Sequence, residues 1–277
     1  MRMCEEGRLL KLSRAVTKVL RHDALKLGLT VRCDGYISLE AVLDALSESG
    51  GGKRARVKAR PSVASVRAMV AQCPKQRTSL SSSAAGMGGV LHIRANQGHS
   101  FPPGTLDDAQ LLVRITRCAD IPLVVHGTTF KAWISIQASG GLSRMKRNHV
   151  HFACGLPGAS GVISGMRRAS EVLVYVDADA AMRGGLVFYR SANGVILTAG
   201  DSRGCVPLAF VSRAVRASDG STLRRCRGGA TLVADEFASR VVGARRGMTM
   251  APALSRSGQC SRYDVSGRST VLVHEAR

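Results

Sequence analysis

An arginine set between an apolar strand and a polar turn is the first feature of this chain that could do chemistry. Val90, Leu91 and Ile93 alternate in the manner of a buried strand, which delivers Arg94 and breaks into Ala95-Asn96-Gln97-Gly98-His99-Ser100. A guanidinium held rigid at a strand end suits a planar oxyanion such as phosphate. A surface arginine beside a polar turn is the plain alternative. The turn itself, with Asn96, Gln97 and His99, is expected to fix the direction of Arg94. A second candidate is Arg21-His22, at the end of an amphipathic helix, where cations sit well against the negative end of the helix dipole. Either the pair is a solvated helix terminus, or it presents a cation and a hydrogen-bond donor to a phosphate.

The elements that must position these residues fall into two groups. Leu9, Leu12, Val16, Val19 and Leu20 recur at helical spacing and mark one buried face. Asp34-Gly35 signals a turn, and Ser38 stands as a helix N-cap before Leu39, Val42, Leu43 and Leu46. Val63, Val66, Val70 and Cys73 outline a third helix. Three short helices of this kind resemble a winged-helix module, a shape often used to hold nucleic acid. Residues 49–62 form a basic loop without apolar period, and 79–89 a low-complexity insertion before the strand at 90. From there short strands dominate. Leu123-Val124-Val125 runs into His126-Gly127-Thr128, a helix uses Phe130, Trp133 and Ile134, and strands follow at 149–153 and 171–177. A Gly/Ser/Pro loop at 155–165 leads into Met166-Arg167-Arg168, and Ser191-Ala192-Asn193-Gly194 is a hairpin signal between 186–190 and 195–198. Leu208 to Val211 reads as one more strand, and past residue 215 the patterns weaken to short apolar islands. The expected organisation is α+β, with lobes at 1–88 and 89–214 and a basic, incompletely ordered extension at 215–277.

Forty Lys plus Arg against nineteen Asp plus Glu give a net charge of +21, spread along the chain. A polyanionic partner follows, with nucleic acid ahead of a membrane surface. Arginine-rich codon bias is the bland source of the same excess. The eight cysteines form no C-x-x-C pair, which leaves a zinc site with little support. No apolar run reaches the roughly 18 residues that a membrane span requires, and no signal-peptide core follows Met1. An intracellular protein, cytoplasmic or nuclear, is the expectation.

Taken in order, Leu20-Arg21-His22, Asp34-Gly35-Tyr36, Lys75-Gln76-Arg77, Arg94-Ala95-Asn96-Gln97-Gly98-His99-Ser100, His126-Gly127-Thr128, Arg147-Asn148-His149-Val150-His151-Phe152, Ser164-Gly165-Met166-Arg167 and Asn193-Gly194-Val195-Ile196-Leu197-Thr198 make a connected pattern. It closely resembles the tRNA 2′-phosphotransferase (KptA) family over roughly residues 9–211. The resemblance implies a winged-helix-like RNA lobe at the amino terminus. A β-rich, NAD-binding lobe like that of ADP-ribosyltransferases would follow it. It also implies the reaction: an internal RNA 2′-phosphate, as left at a ligated tRNA splice junction, is moved to NAD+. The products are 2′-hydroxyl RNA, nicotinamide and ADP-ribose 1″,2″-cyclic phosphate. A family Arg-His-Arg-Arg tetrad maps onto Arg21, His22, Arg94 and Arg167.

The chemistry accounts for those residue types. In the first step the 2′-phosphate, already an anion, attacks the ribose carbon that bears nicotinamide, so alignment matters more than a base. In the second the neighbouring ribose 2″-hydroxyl attacks phosphorus and expels the RNA 2′-oxygen, and arginines stabilise the charge gathering on the phosphoryl oxygens. The resemblance gives Arg94 and Arg167 most weight in that second step and Arg21 with His22 the binding of the RNA phosphate. No metal is called for. For NAD+ it implies His126, Gly127 and Thr128, with Ser143, Met145 and Arg147 as neighbours. His149 and His151 share one strand face. One of these histidines would line the nicotinamide side, and either could instead be a structural hydrogen-bonding residue. Gly127 would let the backbone approach closely. Thr78 stands where the family usually carries an aromatic. A monomer is expected. Two other readings remain: an ADP-ribosyltransferase that caps phosphorylated nucleic-acid ends, and a non-catalytic RNA-binding protein.

Overall fold

The computed structural model of this chain describes residues 2–48, 60–82, 88–121, 123–156, 162, 164–167 and 169–225. The basic stretch at 49–59, residues 83–87, most of the loop expected at 155–165, Arg168 and the extension from 226 lie outside the described residues. Within them the protein is α+β.

Helix α1 (Arg2–Lys18) continues through a single wider turn at Val19–Asp23. Leu12, Ala15, Val16, Val19 and Leu20 are buried along one face, and Ala24 closes the end. Strand β1 (Ile37–Ser38) leads straight into α2 (Leu39–Glu48), whose Leu39, Val42, Leu43 and Leu46 are buried as their spacing predicts. Ser38 pairs with His92 in β1, and the first free N–H of α2, on Leu39, reaches the Leu91 carbonyl at 2.9 Å. Helix α3 (Val63–Ala71) is capped by Ser62, whose Oγ accepts from the Ser65 N–H at 3.1 Å. Its buried residues are Val66 and Met69, while Val63 and Val70 are half-buried; the face is rotated from the one that valine spacing predicts, because Met69 fills the core between them.

The stretch expected as an insertion from 79 opens as strand β2 (Thr78–Ser81), paired with β3 (His92–Ala95). The sheet order is β1-β3-β2, all antiparallel. β3 is therefore central to the amino-terminal sheet, and the break expected at 88/89 falls inside a hairpin. Ser79 and Ser81 hid that strand, since only Leu80 turns an apolar side chain to the core. One core joins α1, α2, α3 and β3 around Val16, Leu20, Ile37, Leu43 and Ile93.

Beyond it come α4 (Asp108–Leu111), β4 (Val113–Ile115), β5 (Val125–Thr128), α5 (Phe130–Ser139), β6 (Gly141–Ser143), β7 (Val150–Phe152), β8 (Val172–Val176), α6 (Ala178–Arg183), β9 (Phe188–Arg190), β10 (Ile196–Thr198), β11 (Cys205–Pro207), β12 (Val211–Arg216) and β13 (Thr222–Arg225). Two four-stranded sheets, β4-β9-β10-β7 and β13-β12-β8-β5, and the pair β11-β6 make up this part. Val125 and Ala153 exchange backbone hydrogen bonds at 2.8 and 3.1 Å, joining the two larger sheets between β5 and the end of β7. A second core of Trp133, Leu142, Phe152, Val174, Phe188 and Ile196 fills the space they enclose. The expected hairpin forms, with Gly194 at φ +76°. Leu208–Phe210 is a single 3₁₀ turn rather than a strand, and the strand runs instead from 211 to 216, across the point where the extension was expected to begin. Polar residues at 212, 213 and 216 masked its alternation.

Candidate active site

Arg21 and His22 occupy the wider turn that ends α1. Val19 and Leu20 are anchored in the core, and the Ala24 N–H reaches back five residues to the Val19 carbonyl at 3.0 Å. Single π turns of this kind concentrate at functional sites. The two side chains are received by the turn after β3. Arg21 Nη2 donates to Gln97 Oε1 at 2.9 Å, and His22 Nδ1 pairs with Ser100 Oγ at 2.8 Å. The Ser100 N–H binds the Arg21 carbonyl at 3.0 Å. Between them Gly98 has φ +89°, and a Cβ there would lie 3.1 Å from Arg21 Cζ, so only glycine lets the guanidinium lie flat on the backbone.

The turn was expected to direct Arg94, and it holds Arg21 and His22 instead. Arg94 takes its direction from the other side of β3. Its Nη1 donates to the Asp34 carbonyl at 3.0 Å and its guanidinium stacks over Tyr36, 4.7 Å from the ring centroid. Asn96 is structural. It accepts from Ser79 Oγ and donates to the Gln76 carbonyl, both at 2.7 Å, and thereby ties β3 to the Lys75-Gln76-Arg77 segment.

The histidines of β5 and β7 and the residue before β7 are linked in series. His126 Nδ1 reaches the His151 carbonyl at 2.9 Å, His151 Nδ1 the His149 carbonyl at 3.0 Å, and His149 Nε2 pairs with Asp108 Oδ2 at 2.9 Å. A carbonyl only accepts, so Nδ1 carries the proton in His126 and His151, and Nε2 is left as the lone-pair nitrogen. His149 is thus engaged by Asp108, whereas the Nε2 of His151 is buried without a partner.

Buried nitrogens without partners gather at this place: Arg21 Nε, Arg94 Nε, His99 Nε2 and His151 Nε2. Native proteins leave few such atoms unsatisfied, and a cluster of them calls for a ligand or water. The electrostatics agree. Burial, then the charges of Arg147 and Arg77, push the Arg21 guanidinium down to about 10. Burial and then Arg21 hold His99 down to about 3, and burial and then Arg147 do the same to His151, also about 3. His22 and His126 are lowered chiefly by burial, and Arg147 by burial and by Arg167. Cations crowded and desolvated in this way favour an incoming anion.

Arg21, His22 and Arg94 therefore stand together around His99, and Arg167 enters through Arg147. Arg167 itself is exposed, its carbonyl accepting from Ser170 Oγ at 2.8 Å. Thr128 lies in β5 opposite Val172. Gly127 does provide close approach, but to protein: a Cβ there would stand 2.4 Å from Met166 Cγ and from Ser170 Oγ, so its open side receives the turn that presents Arg167. Ser143 Oγ accepts from the Met145 N–H at 3.0 Å, and Met145 is exposed at φ +56°. Sequence reasoning missed the residues that aim others. These are Gln97 and Ser100 for the Arg-His pair, Tyr36 for Arg94, and Asn148. Asn148 clips residues 99–101 to β7 through its N–H to the His99 carbonyl (2.9 Å) and its side chain to both polar atoms of Phe101 (3.0 and 3.2 Å). Only Gln97-Gly98-His99-Ser100, as a polar run with glycine after a strand, carried a signal.

Guanidinium and imidazole groups with unused nitrogens thus form a candidate anion-binding site on an α+β chain. Comparison with known proteins gives the particular family. The sequence model of the RNA 2′-phosphotransferase, Tpt1 / KptA family matches residues 7–200. A tRNA 2′-phosphotransferase 1 of Mus musculus is 42% identical over 201 residues, covering 72% of this chain and 74% of the relative. One of Homo sapiens is 39% identical over 232 residues, 84% and 83%. A putative tRNA 2′-phosphotransferase of Schizosaccharomyces pombe is 41% identical over 211 residues, 76% of this chain but only 52% of that longer protein. This chain belongs to the RNA 2′-phosphotransferase family.

Proposed function

We propose that the protein is an NAD+-dependent RNA 2′-phosphotransferase that moves the splice-junction 2′-phosphate of ligated tRNA to NAD+. The observation that carries this reading is the joint seating of Arg21 and His22 on the Gln97–Ser100 turn, with Arg94 leaving the same strand. The first helices supply a winged-helix-like RNA lobe. An α1-β1-α2-α3-β2-β3 order in which β1 pairs with β3 supports that reading. The β-rich remainder through β13 (Thr222–Arg225) is the ADP-ribosyltransferase-like lobe, and the sequence beyond it an extension.

In this reading Arg21 and His22 bind the RNA 2′-phosphate and align it for attack, using N–H groups already aimed by Gln97 and Ser100. Arg94 and Arg167 stabilise the phosphoryl oxygens in the second step, Arg94 stacked on Tyr36 and Arg167 exposed on the turn packed against Gly127. His126, Gly127, Thr128, Ser143, Met145, His149 and His151 form the NAD+ side, and the free Nε2 of His151 fits a donor on that co-substrate. His149 supports it by holding His151 through its carbonyl. The phosphate path needs no metal, since guanidinium groups take the charge. The test supplies RNA with one internal, labelled 2′-phosphate together with NAD+. ADP-ribose 1″,2″-cyclic phosphate is the expected product; label that stays on the RNA refutes the assignment, and ADP-ribosylated RNA as end product would mark a capping enzyme instead.

A further inference from the structure

We propose that His99 is a further catalytic residue, the base that takes the proton of the ribose 2″-hydroxyl in the second step, with His22 as the matching acid. The inference rests on the 2′-phosphotransferase reading and deepens it. In that step the 2″-oxygen forms its bond to phosphorus while the bond from phosphorus to the RNA 2′-oxygen breaks. One proton must leave the attacking oxygen and another must reach the departing one. Attack and departure lie roughly in line on opposite sides of phosphorus. One side chain cannot serve both ends, so an acid and a base are required. The Arg-His-Arg-Arg set contains a single imidazole, and guanidinium is too weak an acid to exchange protons here.

His99 supplies the second imidazole. It lies between Gly98, on which the Arg21 guanidinium rests, and Ser100, which is bonded to His22 and to the Arg21 backbone. Its own carbonyl is held by the Asn148 N–H at 2.9 Å, so the residue is fixed from both sides. The ring is only 3% exposed, packed 5.6 Å from Phe101, and its Nε2 is buried with no hydrogen-bond partner. A buried imidazole nitrogen without a partner is an unfilled contact. The charged and titratable groups facing it are Arg21, His149, His22 and Arg94. In the free protein burial and those cations keep it neutral, the form a base requires. The phosphodiester anion of the ADP-ribosylated intermediate, set among the same cations, offsets their repulsion and raises the basicity of His99 when substrate is present. His22, half-buried and held through Nδ1 by Ser100 Oγ, is open enough to take a proton from solvent, and the proposal gives it the departing oxygen. After the step the proton gained by His99 and the one lost by His22 are exchanged with water.

The experiment follows single turnover of RNA carrying a labelled 2′-phosphate with NAD+ in the wild type, His99→Ala and His99→Gln. The wild type must release cyclic phosphate; if it does not, the phosphotransferase reading fails before His99 is tested. Both variants are expected to form ADP-ribosylated RNA at near the wild-type rate and to resolve it at least about 100-fold more slowly. Added imidazole should restore the second step in His99→Ala alone, which a packing defect would not permit. Wild-type resolution in either variant overturns the assignment, as does equal loss of both steps without imidazole rescue. Should neither variant fold, NMR titration of the wild-type His99 ring with adenosine 2′-phosphate decides. An unchanged ring pKa on binding overturns the proposal, and an upward shift supports it.

Discussion

Replacing Gln97 separates the aim of Arg21 from its charge. Gln97 Oε1 is the acceptor that holds Arg21 Nη2 at 2.9 Å in a pocket where Gln97 is 7% exposed. Hydrogen bonds to a charged group contribute about 1.5–3 kcal/mol. Gln97→Leu removes this one and leaves Arg21, whose Nε already lacks a partner, free to rotate. At about 1.4 kcal/mol per factor of ten, affinity for a 2′-phosphorylated RNA should fall between about 10-fold and 100-fold. Gln97→Glu keeps the acceptor and adds a charge. At that separation, with an effective dielectric constant near 20, attraction to the guanidinium is about 6 kcal/mol before desolvation. The Glu variant should therefore melt no lower than the wild type and yet bind phosphorylated RNA more weakly than the Leu variant, because the carboxylate takes the place of the phosphate. The assay is a fluorescence titration of each variant with one oligoribonucleotide, with and without the 2′-phosphate, beside thermal melts. If Gln97→Leu binds the phosphorylated RNA as the wild type does, the turn is not the socket of Arg21. If the Glu variant binds best, Arg21 does not meet the phosphate.

Three further outcomes follow from the same geometry. Arg94→Ala and Arg167→Ala should each slow resolution of ADP-ribosylated RNA far more than its formation, seen as accumulation of that species in single turnover; unchanged resolution in both would refute their roles. Gly127→Ala places a Cβ 2.4 Å from Met166 Cγ and Ser170 Oγ, so it should cost about 1–3 kcal/mol in urea unfolding and slow turnover by displacing the Arg167 turn. Adding Met166→Ala should recover part of both losses, and strict additivity would show that the two do not meet. His99 and His151 are held near 3 against an ordinary 6.5. At neutral pH both states are uncharged, and below 6.5 the unfolded chain takes up protons that the folded one refuses. Stability should fall by about 2 kcal/mol per histidine between pH 7 and pH 5, measured by urea unfolding. Equal stability at the two pH values would mean that these rings are not buried neutral.

The helical part of the amino-terminal fold was legible because its signal is strong. α2 buries the four residues its period marks; of the five marked at the first helix four are buried and Leu9 is half-buried, with Ser13, Ala15 and Thr17 added beside the stripe. β2 and β12 were not, because each spends half of its positions on serine or arginine, which breaks the apolar alternation. Of the site, residue identity was legible and direction was not. Arg21, His22 and Arg94 are recognisable by type, but which backbone group or ring aims each one depends on contacts 60 to 78 residues apart. Those pairings follow from the antiparallel seating of β3 on β1 and β2, which short-range periodicity does not encode. His149 and His151 illustrate the point most sharply: equivalent in sequence, they differ because Asp108 arrives from α4 to one and not to the other.

Half-buried positive charge is held in this chain without carboxylate partners at two places. Arg21 and Arg94 lie on separate elements, each fastened through neutral acceptors or rings: Gln97 for the first, the Asp34 carbonyl and Tyr36 for the second. A carboxylate partner would stabilise the empty protein and compete with a phosphate for the same N–H groups. Neutral partners fix direction and leave the charge uncompensated, so the cost falls on the free state and is relieved only when an anion enters. The two apolar cores, around Leu20 and Ile93 on one side and Phe152 and Phe188 on the other, supply the stability against which that cost is set. Under the proposed function the unsatisfied nitrogens of Arg21, Arg94, His99 and His151 are contacts kept open for that anion and its co-substrate.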